Sequence, residues 1–342
     1  MKRSLAGALL AVLLLSGCSA IPKKPPTTPP EAPPATTPAQ PTTQAPAAPT
    51  QPAQPTQPAP ESPKPVTPDP APPPKPPEPA KATIEPAPVA QGDVAVIRLD
   101  KAVEGSVRVR VDGLWEQPRT YIQNGKAAAF IGIPADAKVG SYPVTVTWSG
   151  GQWNGSLAVA YRQFTEDRLI VTEEQRETFY DPKQDAEWAK IFSLRSGAIA
   201  EPQWKGPFRA PIDGKLNIST HFGEIRFIND KEYGRHSGMD FEAAEGTPVL
   251  APAPGKVVMT EKMIVSGMTV IIDHGMNLYT TYYHMSAYSV KPGDWVVPGQ
   301  EIGKVGNTGF SLGAHLHWTA SIGNIPVDPW PMTQKSPLGI VN

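Results

Sequence analysis

Short runs of alternating apolar and polar residues fill the chain from about Gly92 onwards, separated by glycine, proline, asparagine and aspartate. Such runs predict β-strands, because successive side chains of a strand face opposite sides of its sheet. Over residues 91–172 the runs recur at regular spacing, which predicts a small antiparallel β-sandwich in a chain that is mainly β. The predicted strands cover residues 94–99, 107–111, 127–133, 142–147 and 157–161, and in the C-terminal part 216–220, 257–259, 268–273, 278–283 and 301–305.

Two glycine-rich segments in the C-terminal part echo each other. Gly-Thr-Pro-Val at residues 246–249 leads to Gly-Lys-Val at 255–257, and Gly-Asp-Trp-Val at 293–296 leads to Gly-Lys-Val at 303–305. Glycine permits the tight, left-handed turns that such a segment needs. The repetition predicts two similar β-hooks that face each other across one core.

A connecting segment is predicted over residues 173–207, between the sandwich and the C-terminal part. Asp181 and Pro182 are typical of a helix start, and apolar residues at helical spacing follow them. The pattern predicts a short amphipathic helix over residues 183–196. Its apolar side chains are expected to pack against a neighbouring domain: Trp188, Ile191 and Phe192.

Proline is concentrated near the N-terminus of the chain. The sequence holds 43 prolines in 342 residues, and residues 22–88 contain almost no large apolar side chain. Such a segment cannot bury a core and favours extended polyproline II conformations. Residues 18–90 are therefore predicted to be a disordered, Pro-rich tether that acts as a semi-rigid spacer.

The first residues have the pattern of an export signal. Lys2 and Arg3 precede an apolar run at residues 5–15, which is short for a membrane span, and small residues lead to Cys18, the only cysteine. This segment resembles a bacterial lipoprotein signal peptide. The resemblance implies removal of residues 1–17 and lipid attachment at Cys18, with acyl chains holding the protein in a membrane. The alternative is an ordinary secretory signal.

The expected location is therefore the cell envelope, either the outer side of the cytoplasmic membrane or the outer membrane. The net charge of -1 and the pI of about 6.6 give no basis for binding a polyanion, so a nucleic acid partner is not expected. The chain is expected to be a monomer.

Four of the six histidines lie in three short segments of the C-terminal part. His315 and His317 stand two apart in a predicted strand, so their side chains face the same pocket. His236 with Asp240, and His284, supply further side chains of the kind that binds zinc. A His-x-His pair can donate both imidazoles to one ion, so the spacing leaves open which histidines hold the metal.

Four motifs carry a resemblance to a known family. They are His-Ser-Gly-Met-Asp-Phe at residues 236–241, Tyr-Tyr-His-Met at 282–285, Gly-Asn-Thr-Gly at 306–309 and Gly-Ala-His-Leu-His-Trp at 313–318. In this order they resemble the lysostaphin and LytM type peptidases, the M23 family of zinc endopeptidases. The resemblance covers residues 208–332, followed by a tail at 333–342.

The resemblance implies an antiparallel β peptidase domain of the duplicated hybrid motif type, one Zn²⁺ per chain and a substrate in the peptide part of peptidoglycan. The zinc ligands that it implies are His236, Asp240 and His317. His284 and His315 are implied to be the catalytic pair. The main alternative is a catalytically silent envelope lipoprotein of the same fold, which binds peptidoglycan and activates a separate amidase. A purely structural module that grips the wall is the third hypothesis.

Other residues are expected to shape the substrate groove. The substrate-binding candidates are His221, Tyr233, Thr308, Gly309 and Ser311. His274, which precedes a glycine in a predicted turn, is expected to be structural. The sandwich resembles immunoglobulin-like modules found ahead of some exported peptidases. It contains no histidine or cysteine and is expected to position the substrate polymer or to act as a spacer.

Overall fold

The computed structural model describes residues 80–101, 106–115, 117–123, 126–195 and 199–337. The predicted signal peptide, Cys18 and most of the predicted tether lie outside these residues. All described residues belong to one compact unit of the chain. The described part is mainly β, as the alternating pattern predicts. None of its helices has the length and apolar character that a membrane crossing requires.

The N-terminal part of the described chain is a sandwich of two four-stranded sheets. The strands are β1 (Ala82–Glu85), β2 (Val89–Ala90), β3 (Val94–Leu99), β4 (Arg108–Val111), β5 (Thr120–Gln123), β6 (Lys126–Gly132), β7 (Gly140–Trp148) and β8 (Gly151–Ala160). The first sheet has the strand order β1-β3-β6-β5 and the second β2-β8-β7-β4. Apolar side chains from both sheets, among them Ile97, Ile131 and Leu157, fill the space between them.

Two predicted boundaries of the sandwich are wrong. Strands β1 and β2 lie inside the predicted tether, and β1 pairs antiparallel with β3, so the sandwich begins nine residues before the predicted boundary at residue 91. Strand β1 has only four residues and ends directly before Pro86, so the Pro-rich composition around it favours an extended tether over a strand. At the other end, β8 finishes the sandwich at Ala160, and the next strand belongs to a different sheet.

The connecting segment begins with that strand, β9 (Glu166–Leu169), followed by the helices α1 (Glu173–Phe179) and α2 (Gln184–Leu194). Helix α1 was not predicted. It starts with a capping box, in which the Thr172 hydroxyl accepts from the Gln175 N–H and the Gln175 side chain accepts from the Thr172 N–H. Strand β9 pairs in parallel with a strand of the C-terminal domain. The connecting segment is therefore built into that domain.

Helix α2 confirms the predicted helix and corrects one of its contacts. Ile191 is buried and packs with Met259, Ile271 and Tyr279 of the C-terminal sheet. Trp188 is partly buried against the same cluster, whereas Phe192 is 44% exposed. The prediction that Phe192 packs against the neighbouring domain is wrong, because it follows Ile191 by only one position and turns away from the sheet.

The described part of the C-terminal domain contains thirteen strands and one helix: β10 (Ile218–Thr220), β11 (Ile225–Ile228), β12 (Lys231–Arg235), β13 (Met239–Glu242), β14 (Pro248–Leu250), β15 (Gly255–Met263), β16 (Gly267–Asp273), β17 (Leu278–Met285), β18 (Ala287–Tyr288), β19 (Trp295–Val296), β20 (Glu301–Lys304), β21 (His315–Ile322), β22 (Ile325–Val327) and α3 (Trp330–Gln334). The domain is organised around one large antiparallel sheet with the strand order β10-β13-β21-β17-β16-β15-β19, in which β22 also pairs with β21. Two smaller sheets have the strand orders β12-β11-β9 and β14-β20-β18.

The two predicted hooks pair reciprocally. Val249 of the first hook lies opposite Gly303 of the second, and Val296 of the second lies opposite Gly255 of the first. Both valines are buried in one core cluster. The repetition in the sequence therefore corresponds to a swapped pairing across a shared core.

The sandwich packs against the C-terminal domain through apolar and charged contacts. Val96 and Phe130 of the sandwich join Leu278 and Ile322 of the C-terminal sheet in one buried cluster. Just after β8, Arg162 lies 3.5 Å from Asp93 of the sandwich and donates to Asp328 of the C-terminal domain at 2.6 Å.

Candidate active site

Three neighbouring strands of the large sheet form the floor of the candidate site. Asp240 on β13 lies directly opposite His317 on β21, and His317 lies opposite Tyr283 on β17. The next residue on β17 is His284, and His315 stands two positions before His317 on its strand. Strand pairing thus brings Asp240 and His317, which are 77 residues apart in the chain, to one face of the sheet.

His236 completes a cluster with Asp240 and His317. Its Nε2 lies 3.1 Å from Oδ1 of Asp240 and 2.9 Å from Nδ1 of His317, and that Nδ1 lies 2.8 Å from the same Oδ1. All three side chains are buried. One ligand atom of each residue therefore faces a common point.

Gly238 permits this close arrangement. A Cβ at this position would lie 2.4 Å from the carbonyl oxygen of Trp318 and 2.8 Å from Nε2 of His317. Since Cβ atoms do not approach other heavy atoms so closely, any side chain here would displace the turn between His236 and Asp240. The glycine of the His-Ser-Gly-Met-Asp motif is thus required for steric reasons.

Hydrogen bonds on the far side of each ring make the cluster suitable for a cation. Nδ1 of His236 donates to the His221 carbonyl at 2.9 Å, which leaves Nε2 with a lone pair facing the cluster. Nε2 of His317 has the Thr319 hydroxyl at 2.9 Å as an acceptor, and this frees its Nδ1 in the same way. Two nitrogen lone pairs and a carboxylate oxygen are the donor set of a three-residue zinc site, so the residues fit this metal.

Protonation states in the cluster agree with that donor set. Burial lowers the pKa of His317 to about 4, so its ring is neutral at neutral pH. For Asp240, burial favours the protonated acid, but a proton held by the adjacent His236 or His317 outweighs it and holds the pKa of this carboxyl well below its usual range, so the carboxylate is ionised.

His284 borders the cluster on a distorted part of β17. Between Tyr282 and Met285 the strand contains one residue more than its partner β16, and His284 has the left-handed φ of 60°. A bulge of this kind redirects a side chain, here towards the cleft. Nδ1 of His284 donates to the Thr308 carbonyl at 2.9 Å, and burial, together with the nearby His315 and His317, lowers its pKa to about 3.

His315 lies between His284 and the cluster. The rings of His315 and His284 have centroids 4.8 Å apart, and Nε2 of His315 is 3.9 Å from Oδ1 of Asp240. Its Nδ1 donates to the Gly313 carbonyl at 2.8 Å, which leaves Nε2 able to accept a proton. The structure thus places all five residues of the predicted metal and catalytic sets together.

A cleft of about 620 Å³ opens over these residues. Part of its lining is apolar and comes from Leu169 of β9 together with Phe310 and Leu312. The lining also includes residues that are polar or small: Ser219, Thr220, Glu242, Ala243 and Ala244. An extended peptide with small side chains would fit such a groove.

The predicted groove residues have varied positions. Ser311 lines the cleft, and its hydroxyl donates to the Gly313 carbonyl. Thr308 and Gly309 form the turn below His284, where Gly309 lies against the backbone of Gly267.

His221 and Tyr233 are not among the residues that line this cleft. The His221 side chain is 62% exposed, although its carbonyl orients His236. Tyr233 packs with its ring centroid 4.4 Å from that of Phe179 in α1. His274 is buried, donates to the Pro254 carbonyl and lies 2.7 Å from the Thr280 hydroxyl, as a structural histidine would.

Two residues of the site are not predicted from the sequence. Arg226 lines the cleft beside Asp240, and Asp167 on β9 is the partner of Arg226. No local motif marks this pair, because its members are 59 residues apart and meet only through strand pairing.

Comparison with known proteins matches the C-terminal part to one family. The profile of Peptidase family M23 matches residues 234–329. The peptidoglycan DD-endopeptidase ShyA of Vibrio cholerae is 40% identical over 121 residues, which are 35% of this chain and 28% of that protein. The DD-carboxypeptidase/endopeptidase Mpg of Neisseria meningitidis is 40% identical over 135 residues, 40% of this chain and 31% of that protein. The chain thus matches less than a third of the length of either relative.

One solved structure aligns over a larger share of the chain. A crystal structure described as a peptidase M23 from Pseudomonas aeruginosa has a TM-score of 0.54 and 28% identity, over 72% of this chain and 95% of that chain. The aligned share exceeds residues 234–329, so the likeness extends to parts of the chain outside the family match.

Proposed function

Residues 234–329 form a domain of Peptidase family M23, and on this premise we propose that the chain is a membrane-anchored zinc metalloendopeptidase that hydrolyses peptide bonds of peptidoglycan. The observation that carries the proposal is the convergence of His236, Asp240 and His317 on one point, with His284 and His315 beside it. A cluster for one cation with two further imidazoles is a hydrolytic arrangement.

His236, Asp240 and His317 would hold the zinc ion through one atom each. When bound, the ion supplies a water of lowered pKa and polarises the scissile carbonyl. These residues would supply three protein ligands, and a catalytic zinc ion takes a water as its fourth. The buried hydrogen bonds to the His221 carbonyl and the Thr319 hydroxyl keep both rings in the required orientation.

His315 is assigned the transfer of protons. Its Nδ1 is occupied by the Gly313 carbonyl, so its free Nε2 takes the proton from the nucleophilic water and passes it to the leaving amine. His284 has the same tautomer, since its Nδ1–H donates to Thr308. Because its ring is neutral, Nε2 of His284 accepts a hydrogen bond, and this favours orientation of the water over stabilisation of an oxyanion.

Peptidoglycan is proposed as the substrate from the cleft and the relatives together. The cleft has room for a peptide of small residues, and the two relatives are named as a peptidoglycan DD-endopeptidase and a DD-carboxypeptidase/endopeptidase. A cross-link between stem peptides is therefore the proposed bond. The intact set of five residues argues against a catalytically silent protein that activates a separate amidase.

Anchoring to the cell envelope is proposed from the first residues of the sequence. Cys18 follows an apolar run and small residues, as a lipid attachment site does. The Pro-rich segment predicted to follow it as a tether would let the domain reach the wall polymer from the membrane surface.

The proposed function is tested by incubating the full chain with purified cross-linked muropeptides, with and without a chelator. The expected result is conversion of dimers to monomers with new amino groups, identified by mass, and loss of this conversion in the chelator. Binding to the wall without any such product would contradict the proposal.

A further inference from the structure

A buried ion pair joins the connecting segment to the candidate active site. Parallel pairing of β9 with β11 sets Asp167 directly opposite Arg226. Nε and one terminal nitrogen of Arg226 both lie 2.7 Å from Oδ2 of Asp167. The side chains are only 19% and 11% exposed, so the pair is largely withdrawn from water.

The guanidinium also reaches the metal cluster. The same terminal nitrogen of Arg226 lies 3.9 Å from Oδ2 of Asp240, the carboxylate oxygen that does not face the imidazoles. Oδ1 of Asp240 is the oxygen that meets His236 and His317. Asp167, Arg226 and Asp240 therefore form a row of negative, positive and negative charges that ends at the cluster.

The two distances show which of the carboxylates interacts more strongly with Arg226. At 2.7 Å, Asp167 makes the stronger contact with Arg226, and the contact with Asp240 is long. A guanidinium in a largely buried position requires a carboxylate partner. If Asp167 were uncharged, Asp240 would be the remaining partner in the row. Arg226 would then move towards Asp240 and draw its negative charge away from the ligand position.

From this geometry we infer that Asp167 is a positioning residue for the metal centre. It holds Arg226 where the guanidinium restrains Oδ2 of Asp240 and leaves Oδ1 directed at the two imidazoles. The inference rests on the proposed function, because it assumes a metal at this cluster. It also makes β9 part of the active site, to which the strand contributes Leu169 in the cleft wall as well.

The test is a double-mutant cycle on zinc affinity, measured with the full chain. The metal is removed, and Zn²⁺ is titrated back in competition with a chromogenic chelator. The variants are Asp167→Asn, Arg226→Gln and both together. Glu166→Gln is the matched control, because Glu166 lies on the same strand and pairs with Arg168 at the surface.

The expected result is a loss of zinc affinity of about 10-fold or more for D167N, the range typical of residues that orient metal ligands. In the R226Q background, D167N is expected to change the affinity by less than about twofold, because Asp167 acts through Arg226. E166Q keeps the wild-type affinity. Urea unfolding in chelator reports whether each apoprotein is folded.

Two results would overturn the inference. One is a D167N protein with wild-type zinc affinity. The other is a loss of zinc affinity on D167N that is equally large in the wild-type and the R226Q background. If D167N does not fold, the double variant, in which two amides replace the ion pair, is compared with R226Q. A zinc affinity of the double variant below that of R226Q would overturn the inference. A wild-type chain that binds no zinc would instead refute the proposed function, so the two failures are distinguishable.

Discussion

Nε2 of His236 lies 2.9 Å from Nδ1 of His317, and Oδ1 of Asp240 is within 3.1 Å of both nitrogens. Three atoms that can each offer a lone pair therefore face one another in a buried place. Without a cation between them, these atoms repel one another or share protons. With a cation, all three are satisfied, so metal binding and folding are expected to be coupled.

Zinc is accordingly expected to stabilise the folded chain. At a free concentration 100 times the dissociation constant, a ligand of the folded state alone adds about 2.7 kcal/mol to the free energy of unfolding. The measurement is urea unfolding of the apoprotein with and without added Zn²⁺. The His317→Ala variant is the control, and it is expected to gain little. An equal gain in this variant would place the stabilising metal elsewhere.

A side chain at position 238 is expected to disrupt the cluster. In Gly238→Ala the new Cβ would lie 2.4 Å from the Trp318 carbonyl oxygen, so the turn that carries His236 and Asp240 must shift. We expect a loss of about 10-fold or more in zinc affinity and a loss of about 1–3 kcal/mol in stability.

The matched control is Gly206→Ala, because a Cβ there meets no atom within 4 Å. It should leave zinc affinity and stability unchanged. Wild-type zinc affinity in Gly238→Ala would show that the close approach at this glycine is not needed.

Stability is expected to fall on acidification because of His274. Burial lowers the pKa of this ring to about 4, against an ordinary value of 6.5. Between these pH values the unfolded chain binds a proton that the folded chain does not, so the free energy of unfolding decreases as the pH falls. From pH 7 to pH 5 this one group is expected to contribute a loss of about 2 kcal/mol.

The measurement is the difference in unfolding free energy between pH 7 and pH 5, in chelator, for the wild type and for His274→Asn. Asparagine does not titrate, so the variant should lose about 2 kcal/mol less over this range. The other histidines contribute equally to the pH dependence of both proteins, so their contribution cancels in the difference. The same pH dependence in both would show that His274 is not buried as a neutral ring.

The docking of α2 predicts unequal effects at two adjacent positions. Ile191 is buried against Met259 and Tyr279, so Ile191→Ala should cost about 2–5 kcal/mol of unfolding free energy. Phe192 is 44% exposed, so Phe192→Ala should cost less than about 1 kcal/mol. The measurement is denaturant unfolding of both variants. A larger loss at Phe192 would mean that the helix packs through its other face.

Features that depend on local sequence could be predicted from it. The alternation of His315 and His317 places both rings on one face of β21, and the two hooks follow from the repeated Gly-Lys-Val segments. These features follow from strand periodicity and from turns that glycine permits, and both act within a few residues.

Features that depend on distant pairing could not be predicted. Strand β9 was assigned to the sandwich region, since nothing in its four residues specifies β11 as a partner 59 positions away. The contact of Asp167 with Arg226 depends on that pairing. The bulge that turns His284 towards the cleft also depends on the register between β16 and β17.

The central claim is that His236 is a zinc ligand and that His315, beside the zinc site, transfers protons without binding the metal. It is tested most directly by measuring zinc content and muropeptide hydrolysis together in His236→Ala and His315→Ala. We expect His315→Ala to retain zinc but lose activity by about 10²–10⁴-fold, as for removal of a general base, and His236→Ala to lose both. Equal zinc content with full activity in both variants would contradict the account.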